Sequence, residues 1–549
     1  MIYKKDPREQ YLLSRYNDLL SEAALRELAN GWQGIFRRTI LGLLPVEHLE
    51  KNFSAETGRP TKELFSVCGL LLMMEYFGWT QATARLNYMV DLGVQYALNI
   101  EQDRLELGER TLYRYLERLR EEDFAQETMS RVTEKLIEEL NLDIREQRLD
   151  STHVFSNMAV WTRRKLYHKI IWRFLKQIKR HYPAEYDQLD SEIAGRYECD
   201  SGWIFGETSP MKVSRGGKVF TAEEQLGYDM QRLIERFSGK AICLGMTSYK
   251  DLIRVFEEQF LINDGKAEMN PNPGGQVLLN PSDREAEIGH KGAGYQVQIM
   301  ESCSSENPVQ LITAAIPQGA SRSDMASFPE ALDELKRHGS LPEKLFADAG
   351  YGSDDNYILA QGNEVELVAP APHQPKDKVG LDECEFDADS RMITCPAGRR
   401  PMFSEFKNGR GRAVFHLNAC GKCPLQGQCR SSKCGKQNRD FRYKLSDLRS
   451  MARRKIEATA EFKDEYGKKR TPIEGLNGRL KQFTPLRHLR VRGGPAVFHS
   501  IRMILSMHNI MQAARYFKIL GKKAIAAAFC LIFAPFSGHR RNNSLLNAA

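Results

Sequence analysis

The sequence predicts an α/β protein: a mixed sheet with flanking helices, preceded by an all-helical region and interrupted by two insertions, one helical and one rich in cysteine. Three observations predict it. Five short stretches alternate apolar and polar residues or form brief apolar runs bounded by turn residues, as strands do. Helical periodicity fills the chain before the first stretch and much of the interval after it. Six of the eleven cysteines crowd between Cys384 and Cys434.

A chain of 549 residues is too long for one ordinary core and implies several domains. Its 42% hydrophobic and 27% charged residues are those of a soluble globular protein. The net charge of +8 is unevenly placed, because Lys433–Arg492 alone holds 18 basic and 7 acidic side chains. A polyanionic partner is therefore expected at that tract. The opening MIYKKDPREQ has no apolar core after its charges, so a secretory signal is not expected and the location read is cytoplasmic. The apolar stretch Ala524–Phe536 falls short of the roughly 20 residues that span a bilayer, so no membrane partner is expected; it reads as a docking helix or as unpacked sequence.

Residues 1–142 read as helical throughout. Leu64, Val67, Cys68, Leu71, Leu72 and Met74 mark an apolar helix, and WTQATARLNYMV follows with a polar cap. In RTLYRYLERLRE, Leu112, Leu116 and Leu119 form one stripe while Arg114, Arg118 and Arg120 lie off it. A helix-turn-helix type DNA-binding module with Arg114 and Arg118 toward DNA fits this pattern, and so does an ordinary helical bundle.

The pattern changes at Gln147–Phe155, where Leu149, Ser151, His153 and Phe155 alternate against Asp150, Thr152 and Val154. This is a short strand with an acid in its middle, costly to bury unless paired or bound to a metal. From about 160 to 285 the chain turns helical again. In WTRRKLYHKIIWRFLKQIKRHY the residues Ile170, Ile171, Phe174, Leu175 and Ile178 form an apolar stripe flanked by Lys and Arg, a solvated face or a DNA contact. The turn-rich NPNPGG closes this insertion.

Strand patterns return at Gly294–Cys303 and Val309–Ile316, a hairpin across SSENP. Met325, Phe328, Leu332 and Leu335 then recur at helical spacing. KLFADAGYGSDDN follows: an apolar strand ending in Asp348, glycines that let the backbone turn, and Ser353 capping a helix that begins with Asp354 and Asp355. An acid at the C-terminal end of a core strand, just before a glycine turn, is where a catalytic or metal-binding carboxylate is usually held. A further strand covers Glu364–Pro370.

Residues 371–445 form the cysteine-rich insertion. Cys420 and Cys423 stand as C-x2-C, Cys429 lies six residues on, and Cys395 completes a set of four for one structural zinc ion, with Cys384 and Cys434 as rivals. Four thiolates would leave no open position for a substrate.

The last stretch is RTPIEGLNGRLK. At about 3.6 residues per turn, Arg470, Glu474 and Lys481 share one helix face. An acid between two phosphate-binding cations suits an enzyme acting on a phosphodiester, and a surface ion-pair row would show the same pattern.

The order is strand with Asp150, hairpin, helix, strand with Asp348, strand, then helix with Glu474. It is the order of a ribonuclease H-like fold with two large insertions, which would gather three distant acids at one end of the sheet. With LDSTHVFSNMA, GHKGAGYQVQI, FADAGYGS, the CPAG…CGKCPL…C series and RTPIEGLNGRLK in place, the chain resembles the DDE transposases of bacterial insertion sequences over roughly residues 58–517. The similar subgroup has an N-terminal helical DNA-binding domain and a cysteine-rich insertion before the catalytic Glu.

The resemblance implies that Asp150, Asp348 and Glu474 bind two Mg²⁺ or Mn²⁺ ions. Water would free a 3′-hydroxyl at the element's end, and that hydroxyl would attack target DNA. It implies phosphate contacts by Arg470 and Lys481. Tyr466 lies one residue further from Arg470 than the family's tyrosine. His153 and Lys291 fall in matching motifs without an assigned role. Terminal inverted repeats and target DNA are the implied partners, with a homodimer or larger assembly on DNA. The alternatives are a ribonuclease H-like nuclease without strand transfer and a catalytically inactive DNA-binding regulator. The domains expected are 1–142, helical and DNA-binding; 143–370, the first part of the core with its helical insertion; 371–445; 446–517, carrying Glu474; and a tail, 518–549.

Overall fold

The computed structural model describes residues 1–9, 14–102, 105–198, 212–215, 218–372 and 378–519. The expectation for Ala524–Phe536 lies outside them. Two compact units divide the chain: Met1–Leu142 with Ser305–Ile312 and Leu480–Ala549, and Asp143–Ser304 with Thr313–Arg479. The segment 446–517, expected to belong wholly to the catalytic core, therefore divides after Arg479.

The first unit is helical. Leu64–Phe77 is almost wholly buried, and the glycine after it, Gly78, takes a left-handed φ of 65° that ends the helix. Glu109–Arg120 buries Leu112, Leu116 and Leu119 as their spacing predicts, with Tyr115. Gly494–Ile519 is the unit's central helix. Val497, Ile501, Ile504, Leu505, Met507, Ile510 and Ala513 are buried on several sides of it, as befits a helix surrounded by others. Asn509 on this helix joins backbone to side chain: its Oδ1 accepts from the Ile312 amide at 2.9 Å, and its Nδ2 donates to the Ile312 carbonyl at 2.8 Å and to Thr133 Oγ1 at 3.2 Å.

The second unit is built on a six-stranded mixed sheet. Its strands are β1 (Glu146–Val154), β2 (Glu287–Gly289), β3 (Gly292–Ser302), β4 (Ile312–Gly319), β5 (Lys344–Ala347) and β6 (Glu366–Val368). They run in the order β6–β5–β1–β3–β2, and β4 also pairs with β3. β1 lies antiparallel to β3 and parallel to β5, and β5 lies parallel to β6. The expected hairpin forms, with its second strand beginning three residues later than its apolar run suggested.

Strand alternation sorts the side chains. Leu149, Met300, Leu345, Ala347 and Leu367 meet Phe328, Leu332 and Leu335 of the Asp324–Arg337 helix on one face. Phe346, Val368 and Cys303 take Phe462 and Tyr466 of the Ala460–Arg470 helix on the other. Met325, placed on the apolar stripe by its spacing, is instead exposed in the first helical turn.

The helical insertion has its own core, centred on Tyr167, Ile170, Ile171, Phe174 and Ile178 of Arg163–His181 and on Leu226, Met230, Leu233, Tyr249 and Leu252. The cysteine-rich insertion is a four-stranded antiparallel sheet of β7 (Phe403–Lys407), β8 (Arg410–His416), β9 (Ser432–Cys434) and β10 (Asn438–Lys444), in the order β7–β8–β10–β9.

Candidate active site

The sheet's register brings the first two acids together. In the parallel pair β1/β5, Arg148 lies opposite Phe346 and Leu149 opposite Ala347. One residue further, Asp150 in the middle of β1 and Asp348 just past the end of β5 come side by side, about 4.8 Å being the ordinary spacing of paired strands. Alternation turns both toward the face covered by the Ala460–Arg470 helix. Tyr466 pins this helix over the end of β5, its hydroxyl donating to the Ala347 carbonyl at 3.0 Å and its ring stacking on Phe462. Burial pushes the Tyr466 phenol up to about 12, so it stays a donor.

Arg470 ends that helix, Thr471 caps it with helical dihedrals, and Pro472 opens the next, Pro472–Phe483. The single helix expected over Arg470–Lys481 is thus two, because proline lacks the N–H an unbroken helix would use. The i, i+4 relation survives the junction: Arg470 Nη1 lies 3.6 Å from Glu474 Oε1.

Arg470 differs most from the sequence reading. Its side chain is only 9% exposed, and Nη2 lies 3.2 Å from Asp150 Oδ1 and 3.9 Å from Asp348 Oδ2. One guanidinium serves all three acids instead of facing outward toward phosphate. Glu474 is the outermost, with a side chain 70% exposed. Lys481 lies half-buried on the same helix and falls in the first unit. Of the other residues expected at DNA, Arg114 is exposed and Arg118 lies over the Phe53 ring at 4.8 Å.

Two residues escaped the sequence reading. Asn477, three past Glu474, donates Nδ2 to Asp150 Oδ2 at 2.9 Å, while its buried Oδ1 has no partner. Asp324 approaches from the opposite face of the sheet, held at 3.1 Å by Gln298 Nε2; Tyr351 donates in turn to Gln298 Oε1. A β-carbon on Gly350 would stand 2.8 Å from Asp348 Oδ1 and 3.4 Å from Asp324 Oδ2, so the glycine gives these acids their room.

The electrostatics follow from this crowding. Burial raises Asp150 to about 6; Asp348 and Asp324 push the same way, and Arg470 opposes them. Burial also raises Asp348, against the Gly350 amide that donates to it at 2.8 Å. Lys291 acts on Asp348 in the lowering direction. His153 packs its ring on Phe155 at 4.4 Å.

Residues 394–514 match the family described as Transposase DDE domain. The matched span contains Cys395, Cys420, Cys423, Cys429, Tyr466, Arg470, Glu474, Asn477 and Lys481, and begins after both strand acids. Over 144 residues the chain is also 26% identical to an α-galactosidase of Saccharomyces mikatae, covering 26% of this chain and 29% of that protein's length. No solved structure matches. Among the described residues no helix is long and apolar enough to cross a membrane.

Within the matched span, Cys395, Cys420, Cys423 and Cys429 line one cavity of about 30 Å³, with Phe415, Arg439 and Phe441 in its wall. Cys384 is buried in the insertion's core, and Cys434 Sγ accepts from Arg412 at 3.6 Å. Among the described residues no group of three or more His, Cys, Asp or Glu stands in metal-ligating geometry. At the acids the guanidinium of Arg470 occupies the space between them, and at the cysteines the thiols border a cavity without converging.

Proposed function

We propose that the chain is a transposase that binds the ends of an insertion sequence and cuts and transfers DNA strands at Asp150, Asp348 and Glu474. The observation carrying this reading is the register that brings Asp150 and Asp348 side by side, with Arg470 reaching both acids and Glu474. The transposase-domain match supports it, because it independently covers the helix bearing Glu474. The sheet order, with β1 flanked by antiparallel β3 and parallel β5, supports the ribonuclease H-like assignment of the core.

The donors fit hard divalent cations. Three carboxylates and the unpartnered Asn477 Oδ1 are oxygen ligands of the kind Mg²⁺ and Mn²⁺ take, and one arginine leaves their charge incompletely balanced. Bound there, such ions would supply Lewis-acid activation of an attacking oxygen and stabilisation of a leaving one. The protein's own residues do the positioning. Asn477 fixes the Asp150 carboxylate, Tyr466 holds the arginine-bearing helix on β5, and Arg470 neutralises acids that would otherwise repel. Exposed Glu474 faces solvent, from which a DNA strand would arrive.

The test is incubation with DNA carrying the element's ends, with and without Mg²⁺, scored for 3′-end cleavage and joining. Asp150→Asn, Asp348→Asn and Glu474→Gln are each expected to abolish cleavage and to leave end binding intact. Wild-type cleavage by any one of them removes that residue from the site; nicking without joining turns the reading to a nuclease.

One structural Zn²⁺ at Cys395, Cys420, Cys423 and Cys429 belongs to the same proposal, since these four thiols line one shared cavity. Metal analysis of the purified protein should find about one zinc per chain. Cys420→Ser and Cys423→Ser should each lose it, and Cys434→Ser should keep it; zinc retained by the first two sinks the assignment.

A further inference from the structure

The helix Arg163–His181 carries eight lysines and arginines and no acid. Its apolar side, from Leu166 to Ile178, is buried in the insertion's core. Opposite runs a second stripe: Lys165, Lys169, Trp172, Lys176 and Lys179, spaced four, three, four and three residues apart. At about 100° per residue these positions fall within an arc of roughly 80°. Each ammonium on the stripe sits over an aromatic ring. Lys165 Nζ lies 5.9 Å from the Trp161 ring, Lys169 and Lys176 lie 5.0 and 4.6 Å from Trp172, and Lys179 lies 4.9 Å from Tyr186. Trp172 is half-exposed and off the apolar stripe.

From this row we infer that the helical insertion binds an unpaired DNA strand, its lysines on successive phosphates and Trp172 stacked on a base. The stripe rises about 21 Å along the helix, the length of roughly six phosphates in a stacked strand. A lysine row alone would suit any polyanion. The indole at its centre selects an unpaired strand, because a duplex keeps its base faces stacked inside. An ammonium over an indole face is held only weakly at an exposed site, so a phosphate can draw Lys169 and Lys176 aside and open that face to a base. The inference rests on the proposed function only in that strand cleavage would expose such a strand, and its test involves no chemistry.

The full chain is titrated with a fluorescently labelled 20-nucleotide single strand of mixed sequence and with the matching duplex, followed by anisotropy, without added Mg²⁺. Trp172→Ala is expected to weaken single-strand binding about tenfold and duplex binding less than twofold, with Trp172→Phe close to wild type. Lys169→Gln with Lys176→Gln should flatten the plot of log affinity against log salt by about 1.4, at roughly 0.7 for each phosphate no longer neutralised. Circular dichroism confirms that each variant keeps its helices. Single-strand binding unchanged in Trp172→Ala overturns the inference. So does an equal loss on single strand and duplex, or binding of the row to anionic lipid vesicles in preference to DNA. Because element ends and cleavage play no part, a catalytically dead Asp150→Asn protein gives the same answer.

Discussion

At the scale of single residues, the site is a contest between one arginine and the acids around it. Arg470 is nearly buried, and its contacts to Asp150, Asp348 and Glu474 make it the resident counter-charge of the cluster. Removing one partner of a buried pair costs about 3 kcal/mol, because the other charge is left unbalanced. Arg470→Ala should therefore lower the melting temperature by several degrees. Mn²⁺ should restore more stability to this variant than it adds to the wild type, since the ion and the guanidinium serve the same oxygens. Thermal melts of both proteins with and without Mn²⁺ decide it, and an equal shift in the two would separate Arg470 from cation binding. The strand acids and Glu474 were legible in the sequence because each sits in a local pattern: a strand middle, a strand end before glycines, a charged helix turn. Asp324 was not, because a first-turn acid is also what any helix favours. Asn477 lies one turn from Glu474, and that i, i+3 spacing was the signal available for it. The inward turn of Arg470 was hidden, since sequence gives a face but not which neighbour covers it.

At the scale of elements, β1 shows how far alternation carries. Its period of two predicted the strand within one residue at each end and gave Asp150 a face. It could not give the cross-strand partner of Arg148, which the antiparallel register sets opposite Glu301. The two form a buried pair, Arg148 Nε to Glu301 Oε2 at 2.7 Å, with side chains 7% and 2% exposed. Arg148 also donates to the Lys469 carbonyl at 3.2 Å, tying the strand to the helix that ends in Arg470. Glu301→Ala should destabilise the second unit by about 3–5 kcal/mol, whereas the double change Arg148→Met with Glu301→Leu should recover most of the loss. Urea unfolding of the three proteins measures this, and a double variant no better than the single would show that the pair holds the register rather than merely neutralising itself. The hairpin boundary and the break at Pro472 were read less well, because strand ends and helix junctions depend on pairing and packing that local propensity does not encode.

At the scale of the whole molecule, the chain returns to its beginning. Residues from Leu480 onward group with the first 142, and Gly494–Ile519 forms the middle of that unit. Sequence reading assigned this helix to the catalytic core because it follows Glu474. Its apolar residues fall on every side, the sign of a helix enclosed by others, and continuity of chain concealed which others. The helix also carries a proton-linked weakness. His499 is buried, its ring stacked on Phe124 at 6.2 Å, and burial lowers it from 6.5 to about 3, with Arg120 and Arg502 adding to the shift. Between those values the unfolded chain holds a proton on His499 that the folded unit does not. Stability of the first unit is therefore expected to fall as pH drops below about 6.5, by up to roughly 1.4 kcal/mol per pH unit, until the folded form also titrates near 3. Glu75, which burial raises, works in the opposite sense above its ordinary value. The comparison with His499→Leu isolates the histidine: urea midpoints of the two proteins should diverge in slope between pH 6.5 and 4, the variant losing less on acidification. Parallel slopes would mean that His499 finds a proton acceptor in the folded unit and does not set its acid limit.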